Sequence, residues 1–243
     1  RLMIGNLKPV IICGAPGGGT SFFSKFLRAN TFYAGESIEV GRADVNHLGW
    51  LGRAKWHESK LISYAITKPI LKHIGISHDE LVSPAIGPEK YKRVKKHLNK
   101  ISPTYWEEIA NSKKEELRKI FHQEFPFNGA VYGWKDPRNV YLLPLWKFLF
   151  PGSKILTVER NMNPNPSNIG SEGKNFTAHG NNEHFRNLYY SHYDDFRFTF
   201  EDFDNVEKVN ELLTFLGLDI LDESTLRAQL KELKFMYSKI GKA

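Results

Sequence analysis

Apolar residues along the chain fall into two periods, and the switches between them mark its elements. Val10, Ile11, Ile12 and Cys13 form an unbroken, largely β-branched run, the pattern of a strand buried on both faces. From Thr20 onward, Phe22, Phe23, Phe26 and Leu27 recur at helical spacing. Residues 31–35 are expected to be a short extended segment. Residues 43–75 then mix apolar and polar positions at helical period, with Leu61, Ile62, Ala65, Ile66 and Ile70 as the buried stripe and Pro69 as a break or kink. Residues 75–87 are punctuated by glycine and proline and predict a loop. Helices are predicted over 88–100 and 102–125; Ser102 is the N-cap of the second, with Pro103 just inside and Glu107 and Glu108 in the early turns.

The character changes at Gly129. Residues 130–134 predict a strand running into Lys135-Asp136-Pro137-Arg138, and 141–150 a short amphipathic helix stopped by Pro151-Gly152. Residues 154–158 predict a second buried-type strand, ending in Glu159-Arg160. Residues 161–182 are polar and without period, and are expected to form a long mobile loop of the kind used as a lid, or to be disordered. A helix is predicted over 183–193, a strand over 196–200, and a helix over 201–216 with Gly217 at its C-cap. A last amphipathic helix over 221–240 is expected to pack on the outside. Strands separated by helical stretches predict one α/β domain over 1–243, with a central parallel sheet flanked by helices and a helix-rich insertion at 37–128.

Composition narrows the ligand more than the fold. With 34 Lys and Arg against 27 Asp and Glu, the net charge of +7 suits a polyanionic ligand. The densest basic run, residues 90–100, has the spacing of a solvated helix face, and the aromatics follow core periods, so nucleic acid is not expected as a partner. Cys13 is the only cysteine, which excludes an intrachain disulfide and a cysteine-based metal site and suits a small core residue. The nine histidines are scattered and suggest no metal. No apolar stretch is long enough for a membrane span and no signal peptide is visible; the cytoplasm is the default, although Arg1 in place of Met leaves room for a trimmed leader or anchor. Asn175-Phe176-Thr177 is formally a glycosylation sequon and weighs little alone.

Between the first strand and the first helix stands Gly14-Ala15-Pro16-Gly17-Gly18-Gly19, a turn open only to a chain tolerant of positive φ. A strand, a glycine loop and a helix N-terminus together form an anion cradle: backbone N–H groups converge and the helix dipole adds partial positive charge. Phosphate or sulfate is the expected guest. The loop has the glycine spacing of an ATP-binding P-loop but carries Thr20 where that motif requires lysine, which turns it away from a nucleotide-dependent kinase, the rival enzyme class.

These motifs together resemble the sulfotransferases that use 3′-phosphoadenosine-5′-phosphosulfate (PAPS), in particular bacterial members with a P-loop-like start and a GWKDPR segment. The family's opening loop, G-x-P-[RK]-S-G-T-[ST], stands here as Gly14-Ala15-Pro16-Gly17-Gly18-Gly19-Thr20-Ser21. Gly133-Trp134-Lys135-Asp136-Pro137-Arg138, the Leu142-Leu143-Pro144-Leu145-Trp146 stretch and Phe150-Pro151-Gly152-Ser153-Lys154-Ile155 match closely, and a strand ending at Arg160 follows. Phe200-Glu201-Asp202-Phe203 and residues 212–218 resemble the family's C-terminal ending. The likeness is clear over 8–36 and 129–160, modest over 196–218 and absent between.

The resemblance implies a P-loop-like three-layer fold and transfer of a sulfuryl group from PAPS, without a metal, to a hydroxyl or amine of a small-molecule, carbohydrate or lipid acceptor. It assigns Ala15, Pro16, Gly17, Gly18, Gly19, Thr20 and Ser21 to the 5′-phosphosulfate and Arg160 with a following serine to the 3′-phosphate. Two positions depart from the pattern. Gly17 replaces the usual Arg or Lys of the loop; Lys135 is the first substitute for that cation and Arg138 the second. The serine expected eight residues after Arg160 is Asn168, so either Ser167 serves in a shifted turn or the 3′-phosphate grip differs. Glu36 is the first candidate for general base, with Glu39, Asp44 and His47 in reserve, and Asp136 is expected to structure its own turn or pair with Lys135 or Arg138. The missing loop cation keeps a second reading open, a homologue that binds PAPS or its product but is catalytically weakened. The acceptor pocket is expected to come from 37–128 and 161–195.

Overall fold

Val10–Gly14 forms the central strand β1 in the computed structural model of the chain, which describes residues 7–14, 20–32, 37–39, 55–59, 62–76, 96–124, 131–159, 193 and 195–240. After it come α1 (Thr20–Ala29), β2 (Ser37–Glu39), β3 (Lys55–Ser59), a π-helical turn (Ile62–Thr67) and α2 (Lys68–His73). Then follow α3 (Pro103–Glu124), β4 (Gly133–Lys135), a 3-10 turn (Pro137–Leu142), α4 (Leu143–Leu149), β5 (Lys154–Glu159), β6 (Phe196–Thr199), α5 (Val206–Leu216) and α6 (Glu223–Ile240). β4, β1, β5 and β6 pair in that order, all parallel, so numbered along the chain the sheet reads 2-1-3-4. The expected α/β architecture, a central parallel sheet flanked by helices, is what the chain adopts.

Period-2 alternation along β1 builds both cores at once. Ile11 and Cys13 face α2, α3 and α4, where they join Trp134, Tyr141, Trp146 and Ile155. Val10 and Ile12 face α1, α5 and α6, where Phe23, Phe26, Phe198, Phe203, Leu213 and Leu230 close around them. A strand buried on both faces needs apolar residues at every position, hence the continuous run in the sequence. Register is enforced sterically at Gly133, opposite Val10: a Cβ there would stand 1.9 Å from the Val10 carbonyl oxygen, so the first residue of the GWKDPR segment has no room for a side chain. At the opposite end of the sheet, Asp195 accepts from the Ile155 N–H (2.7 Å) and from Lys147 Nζ (3.1 Å) and fixes where β5 and β6 begin.

Several local expectations hold. Tyr105 N–H donates to Ser102 Oγ at 3.1 Å, so Ser102 caps α3. Gly217 ends α5 with φ +82°. Leu226, Leu230 and Leu233 seat α6 on the α1 side. Others need correction. Residues 55–59 form a strand paired antiparallel to 37–39, not part of a helix, so the 37–128 insertion is not wholly helical: tertiary pairing overrides a weak helical period in a five-residue stretch. Thr31 is not extended but left-handed (φ 65°), as the residue that ends α1 while the Phe32 N–H returns to the Leu27 carbonyl. β4 ends at Lys135, one residue later than expected, because Lys135 still pairs with Ile12. The helix predicted over 201–216 is split: a 3-10 turn (Phe200–Asp204) precedes α5, which Asn205 caps through Glu207 N–H and Lys208 N–H.

Pro69 does mark a break. Its ring clashes with the carbonyl four residues back in a regular helix and it lacks an N–H, and the wider π turn directly upstream accommodates both. Ile62, Ile66 and Ile70 are buried as expected; Leu61 lies outside the described residues, as do 161–182 and all of the predicted 183–193 helix except Tyr193.

Candidate functional site

The carboxyl ends of the parallel strands gather at one edge of the sheet: Gly14 of β1, Lys135 of β4, Glu159 of β5 and Thr199 of β6. β1 is followed in the sheet by β4 on one side and β5 on the other, so the order reverses between β1 and β5. In open α/β sheets that is where ligands bind. Gly14 pairs with Val158, one residue before the end of β5. β1 therefore ends beside β5, the strand that Arg160 follows in sequence. Residues 15–19, Glu36, Arg160 and Ser167 lie outside the described residues, as do Asp44 and His47 among the reserve bases.

α1 opens with Thr20 and Ser21 in its first turn and carries no acidic side chain there, so its dipole is not offset at the end that receives the loop. One turn further in, the Ser24 hydroxyl is buried without a hydrogen-bond partner. An amino-terminal helix end with no acid in its first turn suits an anion. β3 lies against β4 and α1 and pairs with β2, Lys55 opposite Glu39.

Lys135 is 4 % exposed. It pairs with Ile12, and side chains of directly paired residues point to the same sheet face, so it leaves the sheet on the side of α1. Lys135 thus brings a buried amine to the carboxyl edge, on the face that also carries the start of α1.

Arg138 is placed differently. It is 1 % exposed, and its guanidinium grips Asp136 side-on: Nε donates to Oδ1 and Nη2 to Oδ2, each at 2.6 Å. Nη2 also donates to Ser63 Oγ in the π turn. Asp136, likewise 1 % exposed, accepts in addition from the Arg138 N–H at 2.8 Å and caps the 3-10 turn. Of the alternatives expected for Asp136, its own turn or pairing with Lys135 or Arg138, the turn and the Arg138 pair are both present. The guanidinium of Arg138, the second substitute for the loop cation, joins the β4 end to the π turn of the 37–128 region.

Two further residues at this edge were not anticipated from the residue pattern. Ser63 sits on a buried helical stripe and reads as filler. Asn139 lies within the 3-10 turn and accepts from both the Trp134 and Trp146 indoles. A clue to Asn139 existed: two tryptophans in a buried segment each need an acceptor for a donor-only N–H. Among the described residues no group of three His, Cys, Asp or Glu side chains is arranged to hold a metal ion, and no helix is long and apolar enough to cross a membrane. Compared with known proteins, the chain matches no family model, and no curated protein gives a significant match.

Proposed function

We propose that the chain is a PAPS-dependent sulfotransferase that moves a sulfuryl group to a hydroxyl or amine of a small-molecule, carbohydrate or lipid acceptor. The observation that supports it best is that the strands preceding three separated motifs end side by side at one sheet edge. β1 leads in sequence into the glycine loop, β4 ends at Lys135, and β5 leads in sequence into Arg160, with the strand order reversing between β1 and β5. PAPS supplies an activated sulfuryl group whose leaving phosphate gathers negative charge, and each assignment follows from that need.

Residues 15–19 with Thr20 and Ser21 hold the 5′-phosphosulfate through backbone N–H groups, where the undiluted α1 dipole adds to them. Arg160, with Ser167, takes the 3′-phosphate, for which a planar guanidinium fork is suited. Lys135 supplies the cation that Gly17 cannot. Its burial strengthens the interaction, because a charge shielded from water acts through a lower effective dielectric. Glu36, directly before β2, accepts the acceptor's proton. Arg138, buried against Asp136 and Ser63, orders the edge around these groups.

A thermal-shift comparison tests the reading. Stabilisation by adenosine 3′,5′-bisphosphate, but not by AMP or ATP–Mg, supports a PAPS site, and turnover of labelled PAPS on an acceptor panel separates the enzyme from a binding homologue. A preference for ATP–Mg moves the reading to a kinase.

A further inference from the structure

One side chain closes the β4 flank of β1 where the strand ladder stops. β1 pairs with β5 through Gly14 but with β4 only as far as Ile12, so Cys13 and Gly14 have a ladder partner on one side alone among the described residues. On the other side, Asn139 Nδ2 donates to the Ile12 carbonyl at 3.1 Å, and the Asp136 N–H donates to the same oxygen at 3.4 Å, so both lone pairs are used. Asn139 is 0 % exposed and its orientation is settled by its neighbours. Its Oδ1 accepts from Trp134 Nε1 (3.2 Å) and Trp146 Nε1 (3.1 Å), both donors only, which leaves the amide nitrogen to Ile12.

We propose that Asn139 is a positioning residue. It fixes the carboxyl end of β1, and with it the point from which the glycine loop leaves the sheet. Its consequence for cofactor binding rests on the sulfotransferase reading above; its hold on β1 does not. Asn139 thus links the turn of one motif, GWKDPR, to the strand of the other.

Cys13, next to Ile12, 1 % exposed and the only cysteine of the chain, reports opening of this strand end through its rate of reaction with a thiol reagent under native conditions. Two variants separate positioning from general stability. Asn139→Asp keeps an acceptor for both indoles but sets an oxygen against the Ile12 carbonyl. Trp146→Phe removes one indole donor and leaves the Ile12 bond intact. Asn139→Asp is expected to speed Cys13 labelling on the order of 10-fold beyond what its urea midpoint accounts for, and Trp146→Phe no more than its midpoint accounts for. Should Asn139→Asp fail to fold, Asn139→Ala carries the same comparison. Equal labelling in the Asn139 and Trp146 variants at matched stability overturns the proposal. Saturating adenosine 3′,5′-bisphosphate is expected to slow labelling of the wild type; if it does not while the contrast between variants holds, the sulfotransferase reading fails and the role of Asn139 at β1 stands.

Discussion

Replacing Arg138 by Met keeps much of the stem volume and removes only the guanidinium, which isolates the role of the buried pair. In the wild type, Asp136 and Arg138 side chains are each 2 % exposed and meet through two charge-assisted bonds of 2.6 Å. Arg138→Met leaves the Asp136 carboxylate with the Arg138 N–H, but without its counter-charge, and takes a donor from Ser63. Breaking one side of a buried ion pair costs about 3–5 kcal/mol, a large part of the roughly 5–15 kcal/mol that holds a domain folded. Urea unfolding followed by tryptophan fluorescence reads this directly. With a slope of about 3 kcal/mol/M for a chain of this size, the midpoint should fall by about 1–1.7 M. Adding Asp136→Asn removes the stranded charge, and the double variant should regain at least ~1 kcal/mol over Arg138→Met. A single variant within ~1 kcal/mol of the wild type would refute the structural role. If it also lost affinity for adenosine 3′,5′-bisphosphate, Arg138 would return to the cofactor.

Gly133→Ala places a Cβ at 1.9 Å from backbone, which no rotamer change relieves; the variant should lose more than ~3 kcal/mol in urea unfolding or fail to accumulate as folded protein. Lys135→Ala should lower sulfuryl transfer by about 10²–10³-fold, the scale for a charge-stabilising donor, with adenosine 3′,5′-bisphosphate binding largely retained in calorimetry. Unchanged turnover in that variant would remove Lys135 as the substitute for the missing loop cation.

Much of the fold was legible because its strongest signals are local and redundant. β1 and β5 are continuous apolar runs, α1 and α5 carry a helical stripe, and Ser102 and Gly217 punctuate helices with side chain and φ alike. Misreadings cluster where long-range pairing decides. A five-residue strand at Lys55–Ser59 exists by virtue of its pairing with β2, and Lys135 belongs to β4 by virtue of Ile12. The candidate edge was half legible. Motif residues were visible because their chemistry is unusual for loops, and the Asp136–Arg138 pairing was one of the alternatives expected for Asp136. Ser63 and Asn139 were not, since a serine 75 residues away from Arg138 and an asparagine that serves two indoles and a strand carbonyl are defined by packing alone.

The central claim is that the edge formed by β1, β4 and β5 holds a 3′-phosphorylated adenine nucleotide. Thermal unfolding with adenosine 3′,5′-bisphosphate, AMP and ATP–Mg measured side by side tests it most directly. At a free concentration about 100 times its dissociation constant, a ligand specific for the native state adds about 2.7 kcal/mol, which for a chain of this length raises the midpoint by roughly 5–10 °C. The account predicts such a rise for adenosine 3′,5′-bisphosphate and little for the other two at equal concentration. No rise with adenosine 3′,5′-bisphosphate at millimolar concentration, or a larger one with AMP or ATP–Mg, would contradict it.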